Sequence, residues 1–128
     1  MKASLSNYGQ SPRKTRLVTN LVKGKSVAEA LTALQFLEKR AATPMAKLIA
    51  SAAKNAEKQG EDIRQLVIKN IRVDKGLVRT KGMPRAFGRT TPIRHRMSHV
   101  FVELTKKAAA VEKPARKTAK KVAQKTTK

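Results

Sequence analysis

Apolar positions change their period twice along this chain, and each change marks a different kind of element. In Lys2 to Tyr8, Ala3, Leu5 and Asn7 fall on one face of an extended segment and Ser4, Ser6 and Tyr8 on the other, which predicts an edge strand. Ser11-Pro12 reads as an N-cap followed by proline at the first helical position; Leu17, Val18, Leu21 and Val22 predict the apolar stripe of a helix stopping at Gly24. Ser26-Val27-Ala28-Glu29 has the spacing of a capping box, in which hydroxyl and carboxylate each satisfy a backbone N–H at a helix start. The helix behind it turns Val27, Ala30, Leu31, Leu34 and Leu37 inward. A third helix is expected from about residues 41–44 to Gln59, with Met45, Leu48, Ile49, Ala52 and Ala56 inward and Gly60 as its stop.

From Gln65 the period becomes two. Val67, Ile71 and Val73 are expected on one face of a strand, with Leu66 and Ile68 on the other before Asn70 and Arg72 turn it polar. Val100, Phe101, Val102 and Leu104 predict a returning strand, antiparallel to the first. Between them runs a long cationic loop. Lys75, Arg79, Lys81, Arg85, Arg89, Arg94 and Arg96 lie there with no acid, together with Gly76, Gly82, Gly88 and the apolar Met83, Pro84 and Phe87. With its two arms extended, this finger is expected to reach on the order of 35 Å beyond the domain. A loop of such length is uncommon unless it has a function, so the length itself points to a partner.

Composition sharpens the choice of partner. The chain has 30 Lys+Arg against 8 Asp+Glu, a formal net charge of +22 on 128 residues. Charge of one sign at that density repels itself, and polyanionic nucleic acid supplies the counter-charge. Arg13, Lys14, Arg16 and Lys23 add a basic side to the first helix without opposing acids. After Thr105 the chain becomes Lys, Ala and Thr, a low-complexity tail expected to be disordered and to bind polyanions without reading sequence. The expected organisation is therefore one small domain over residues 1–105, including a hairpin at about 75–97, followed by a basic tail over 106–128. Its fold class is α+β: three helices packed on a small antiparallel three-stranded sheet with a long protruding β-hairpin.

Chemistry other than binding finds little support in the residues. There is no cysteine, hence no disulfide or thiolate metal site. His95 and His99 are the only histidines, and no carboxylate lies between Asp74 and Glu103 to orient an imidazole, so neither a catalytic nor a metal site is expected. No glycine-rich phosphate fingerprint is present, so no cofactor is expected. The N-terminus lacks an apolar targeting core and no segment approaches a membrane span, which predicts a soluble intracellular protein. Four aromatic residues are too few for a sheet that reads single strands by stacking. The remaining alternatives are a DNA-compacting protein, suggested by the Lys/Ala tail, a ribonuclease, and a membrane-surface binder. The first leaves the finger unexplained, the second lacks an acid, and the third lacks an amphipathic helix with bulky apolar residues.

Several blocks carry a family resemblance. They are Ser11-Pro12-Arg13-Lys14-Thr15-Arg16-Leu17-Val18 with Lys23-Gly24-Lys25, Glu29-Ala30-Leu31, Lys47-Leu48-Ile49 with Ser51-Ala52-Ala53-Lys54-Asn55-Ala56-Glu57, and Val73-Asp74-Lys75-Gly76. Pro84-Arg85-Ala86-Phe87-Gly88-Arg89 and Arg96-Met97-Ser98-His99-Val100 follow in order. Over about residues 3–104 the chain resembles the large-subunit ribosomal protein L-twenty-two family, bacterial type. The resemblance implies a non-enzymatic structural constituent of the large ribosomal subunit, located in a cytoplasmic or organellar ribosome. Its implied partners are large-subunit rRNA, neighbouring ribosomal proteins and the nascent peptide, without membrane or homo-oligomer. It further implies rRNA contacts by Arg13, Lys14, Arg16, Lys23, Lys25, Lys75, Arg79, Lys81, Arg85, Arg89, Arg94, Arg96 and His99, and a role in subunit assembly. Met83, Pro84, Arg85, Ala86 and Gly88 would form a tip lining the exit tunnel. Lys81 stands where the family commonly has arginine, and Thr91-Pro92 where it often has a larger or basic residue.

Overall fold

The computed structural model describes residues 1–106. The tail expected over 106–128 lies, beyond Lys106, outside the described residues. Strands β1 (Lys2–Tyr8), β2 (Leu66–Pro84) and β3 (Thr90–Lys106) form one antiparallel sheet in the order β1-β3-β2. Helices α1 (Pro12–Val22), α2 (Val27–Gln35) and α3 (Ala42–Glu57) complete the α+β domain. α1 packs on β2, α3 on β1 and β3, and α2 against α3. The expected architecture is the observed one, with β1 at a sheet edge.

Local signals act where the residues place them. Ser26 Oγ accepts from the Glu29 N–H at 3.3 Å while Glu29 Oε2 accepts from the Ser26 N–H at 3.4 Å, closing the capping box. Pro12 opens α1 at a position that needs no N–H donor, and Ser11 is its N-cap residue. Met45, Ile49, Ala52 and Ala56 run down the buried side of α3, where the small residues let the helix approach the sheet.

Three face assignments require correction, and two share a cause. Ile68 pairs with Leu104 and Asn70 with Glu103, so β2 advances two residues against one of β3 and Lys69 forms a bulge. The bulge reverses the alternation. Leu66, Ile68, Ile71 and Val73 all face the core, while Val67 is only half-buried. On β1, Leu5 pairs with Val100 and Tyr8 with Ser98, three residues against two, and Asn7 takes a φ of 51°. Tyr8 thereby joins Ala3 and Leu5 against the core instead of opposing them. On α1 the cause is helical geometry: Leu17-Val18 and Leu21-Val22 are adjacent pairs about 100° apart, so one member of each cannot face inward. Val18 and Val22 are buried with Thr15 and Thr19, whereas Leu17 and Leu21 are exposed. The two threonines remain satisfied because their hydroxyls donate to the Ser11 and Arg16 carbonyls.

Turned inward, Tyr8 donates its hydroxyl to the Arg40 carbonyl at 3.2 Å. Burial raises its pKa above the ordinary 10.0, with the Arg40 cation opposing the rise. A raised folded-state pKa means the tyrosine's contribution is fully present below pH 10 and is lost as pH climbs through the folded value. Tyr8→Phe is expected to lower stability by about 1 kcal/mol at neutral pH, the net worth of one hydrogen bond. The difference from wild type should shrink above pH 10, a trend readable in paired thermal melts across that range.

Candidate nucleic-acid interface

β2 leaves the core at a second irregularity, where Lys75 pairs with Ser98 but Val78 with Arg96. Gly76 allows it. A Cβ on that residue would sit 3.1 Å from the Met97 carbonyl carbon and 3.2 Å from the Ser98 nitrogen, so a side chain would push the strands apart. Beyond this point β2 and β3 pair without a break from Val78↔Arg96 to Pro84↔Thr90. The segment read as a loop is therefore a two-stranded ribbon. Its backbone ladder maintains the shape of a sequence that has no core of its own, and Gly76 to Pro84 at about 3.3 Å per residue spans roughly 30 Å.

Strand alternation distributes the ribbon's charge. Val78, Thr80, Arg94 and Arg96 pair on one face; Arg79, Lys81, Ile93 and His95 pair on the other. Both faces are cationic, and no carboxylate occurs from Lys75 to Val102. Among the described residues the ion pairs are Lys2–Glu103 at 3.3 Å, Arg72–Asp74 at 2.9 Å and Lys106–Glu61 at 2.8 Å, none of them on the ribbon. Such exposed pairs contribute little to stability, and the acids they hold are unavailable to the ribbon.

At the apex, the Arg85 N–H donates to the Arg89 carbonyl at 2.8 Å and Arg85 Nε to Thr91 Oγ1 at 3.0 Å. Arg85 is folded back on β3 instead of extending forward. Phe87 extends instead: it is 100% exposed, holds a φ of 56°, and precedes Gly88 at φ 67°. A left-handed phenylalanine in water is unfavourable on both counts. The tip set Met83, Pro84, Arg85, Ala86 and Gly88 omits this residue, the most prominent one at the apex. Its signal was the isolation of an aromatic residue among glycines and arginines; its backbone angle has no such signature.

The cations expected on the globular part fall into two groups. Arg13, Lys14 and Lys23 are exposed on or just after α1. Arg16 instead donates Nη2 at 2.8 Å and Nε at 3.3 Å to the Val73 carbonyl, covering a backbone acceptor on the free edge of β2. Lys25 is half-buried, with its carbonyl accepting from the Ile68 N–H at 3.0 Å. His99 accepts the Asn7 N–H on Nδ1 at 3.1 Å, so its ring helps hold the bulged end of β1. Arg13 and Arg16 meet Lys75, Arg94 and Arg96 around a cleft of about 630 Å³ between the start of α1 and the root of the ribbon. Lys23 lies near the free edge of β2, Arg79 and Lys81 on the other ribbon face, and Arg85 and Arg89 at the apex.

A small domain that carries its charge on an external, two-faced ribbon is a structural nucleic-acid-binding protein. The family model described as "Ribosomal protein L22p/L17e" matches residues 3–105. The chain is 48% identical over 107 residues to the large ribosomal subunit protein uL22 of Syntrophotalea carbinolica, covering 83% of this chain and 97% of that protein. It is 46% identical over 104 residues to uL22 of Pelobacter propionicus, covering 80% and 94%, and 46% identical over 106 residues to uL22 of Geobacter sulfurreducens, covering 82% and 96%. The chain belongs to the ribosomal protein L22p/L17e family.

Proposed function

We propose that this chain, a structural constituent of the large ribosomal subunit, works by threading its ribbon into folded rRNA while α1 anchors the globular part on the RNA surface. The observation that carries this reading is the presence of cations on both faces of the ribbon with no acid between them. A surface-lying strand pair needs charge on one side only; charge on two sides suits a ribbon with phosphates all around it. The rRNA contacts are Arg13, Lys14, Lys23, Lys75, Arg79, Lys81, Arg89, Arg94 and Arg96, with Arg16, Lys25, Arg85 and His99 dividing their groups between RNA and fold. By bridging RNA segments along some 30 Å, the ribbon supports subunit assembly. Its apex, Met83 to Gly88 with Phe87 foremost, lines the nascent-peptide tunnel, a role resting on the family resemblance. The protein acts without catalysis, as a single copy among neighbouring ribosomal proteins, in the ribosome of a bacterial cytoplasm.

Sedimentation of a lysate through sucrose after a high-salt wash tests the assignment. Co-migration with the large subunit is the expected result; migration with DNA or as free protein overturns it. For the tip, deletion of residues 81–89 with a short turn in their place should leave the isolated domain's melting temperature within about 2 °C, since no residue of that segment is buried. Ribosomes carrying the deletion should differ in nascent-chain pausing on ribosome profiling.

A further inference from the structure

We infer that the open face of the sheet docks a neighbouring protein of the large subunit, through a segment of no net charge that covers Phe101. The helices pack on the side of the sheet where Ala3, Leu5, Ile71, Val73, Val100 and Val102 meet them. Alternation sends the intervening residues to the other side in two paired rows, Lys2 with Glu103 and Asn70, then Ser4 with Phe101 and Arg72. A groove of about 480 Å³ runs over these rows, and among the described residues only those of the three strands line it. At its centre stands Phe101, on the middle strand and 36% exposed.

Charge separates this face from the surfaces read as RNA contacts. Lys2 pairs with Glu103 at 3.3 Å and Arg72 with Asp74 at 2.9 Å, so two cations and two acids cancel here in a chain of net charge +22. The ribbon, by contrast, carries no acid. RNA laid over the sheet would set phosphates against Glu103 and Asp74, whose cations are already engaged, and like charges brought together reject a partner. Base stacking meets a second obstacle: the Arg72 guanidinium lies 5.0 Å from the Phe101 ring centroid and occupies one face of the ring. A protein segment without net charge meets neither. An aromatic ring and an arginine at the centre with polar groups around them is the usual anatomy of a protein–protein contact. The occupant therefore places an aliphatic or proline side chain on the open part of the ring and uncharged side chains beside it, since an added charge of either sign would compete with one of the two ion pairs.

The test places the photo-cross-linker p-benzoylphenylalanine in the full-length protein in place of Phe101, assembles it into large subunits in cells, and irradiates the purified, salt-washed subunits. Ser4, beside the ring, is a second position should the bulkier side chain disturb the sheet, and Arg94 on the ribbon is the reference. Mass spectrometry identifies each cross-linked partner and its contact segment. The same neighbouring protein from positions 101 and 4, joined through a segment of no net charge, is the expected result, with rRNA from position 94. Cross-linking to rRNA from the sheet face, cross-linking through a charged segment, or no cross-link there overturns the proposal. Failure of position 94 to label rRNA would overturn the reading of the ribbon, whatever the sheet face contacts.

Discussion

Replacing Lys75, Arg79, Arg94 and Arg96 together by glutamine should lower affinity for large-subunit rRNA on the order of a thousandfold near 0.1 M salt. Each phosphate contact adds about 0.9 to the slope of log K against log salt, so losing four flattens it by between about 3 and 4. The four side chains lie on both ribbon faces and have no hydrogen-bond or ion-pair partner among the described residues. Folding therefore loses nothing when they go, and the relief of like-charge repulsion should hold or raise the melting temperature. Filter binding at several salt concentrations, with a melt of each protein, separates the two effects. A slope unchanged within one unit would take the ribbon out of the interface; a large drop in melting temperature would mean that these cations serve the fold.

Deleting Arg72 should cost several kcal/mol, whereas deleting Lys69 should cost little. Lys69 is exposed, has no hydrogen bond or ion pair through its side chain among the described residues, and is the extra residue of the bulge. Without it, Ile68, Asn70 and Ile71 alternate regularly against Leu104, Glu103 and Val102, and Ile71 and Val73 stay inward. Arg72 lies in regular pairing, so its removal turns Val73 to the solvent face and brings Asp74 into its place against the core. Losing the burial of a side chain of that size costs about 1.5–3 kcal/mol, and a carboxylate turned inward adds about as much. The expected loss is about 3–6 kcal/mol, a large part of what a small domain has. Urea denaturation of the two deletions checks it: the Lys69 deletion should cost less than about 1 kcal/mol, and an Arg72 deletion equally mild would show that the strand re-registers without loss.

Both experiments bear on how much of this protein can be read along the chain. The helices were legible because their signals are local: Pro12 at a first turn, the Ser26–Glu29 box, Gly24 and Gly60 at left-handed stops with φ of 79° and 80°. Charge was equally legible, since an acid-free run from Lys75 to Val102 needs no coordinates to be seen, and so was the choice of a polyanion over a substrate. Which residue faces which way was not.

Alternation and helical period predict faces only while the count is unbroken, and it is broken at Asn7, Lys69 and Gly76 by bulges that depend on pairing with β3. The partner strand comes from some thirty residues further on, or from the other end of the chain, so no window of sequence contains the cause. The same holds for Arg16 and His99, expected among the RNA contacts from the family resemblance, which the fold also uses to satisfy Val73 and Asn7. Sequence by itself determined the elements, their order, the charge and the kind of partner, because each arises from residues close together or from a sum over them. Tertiary structure decided the faces, the bulges and the exposed Phe87, because each depends on which distant backbone lies alongside.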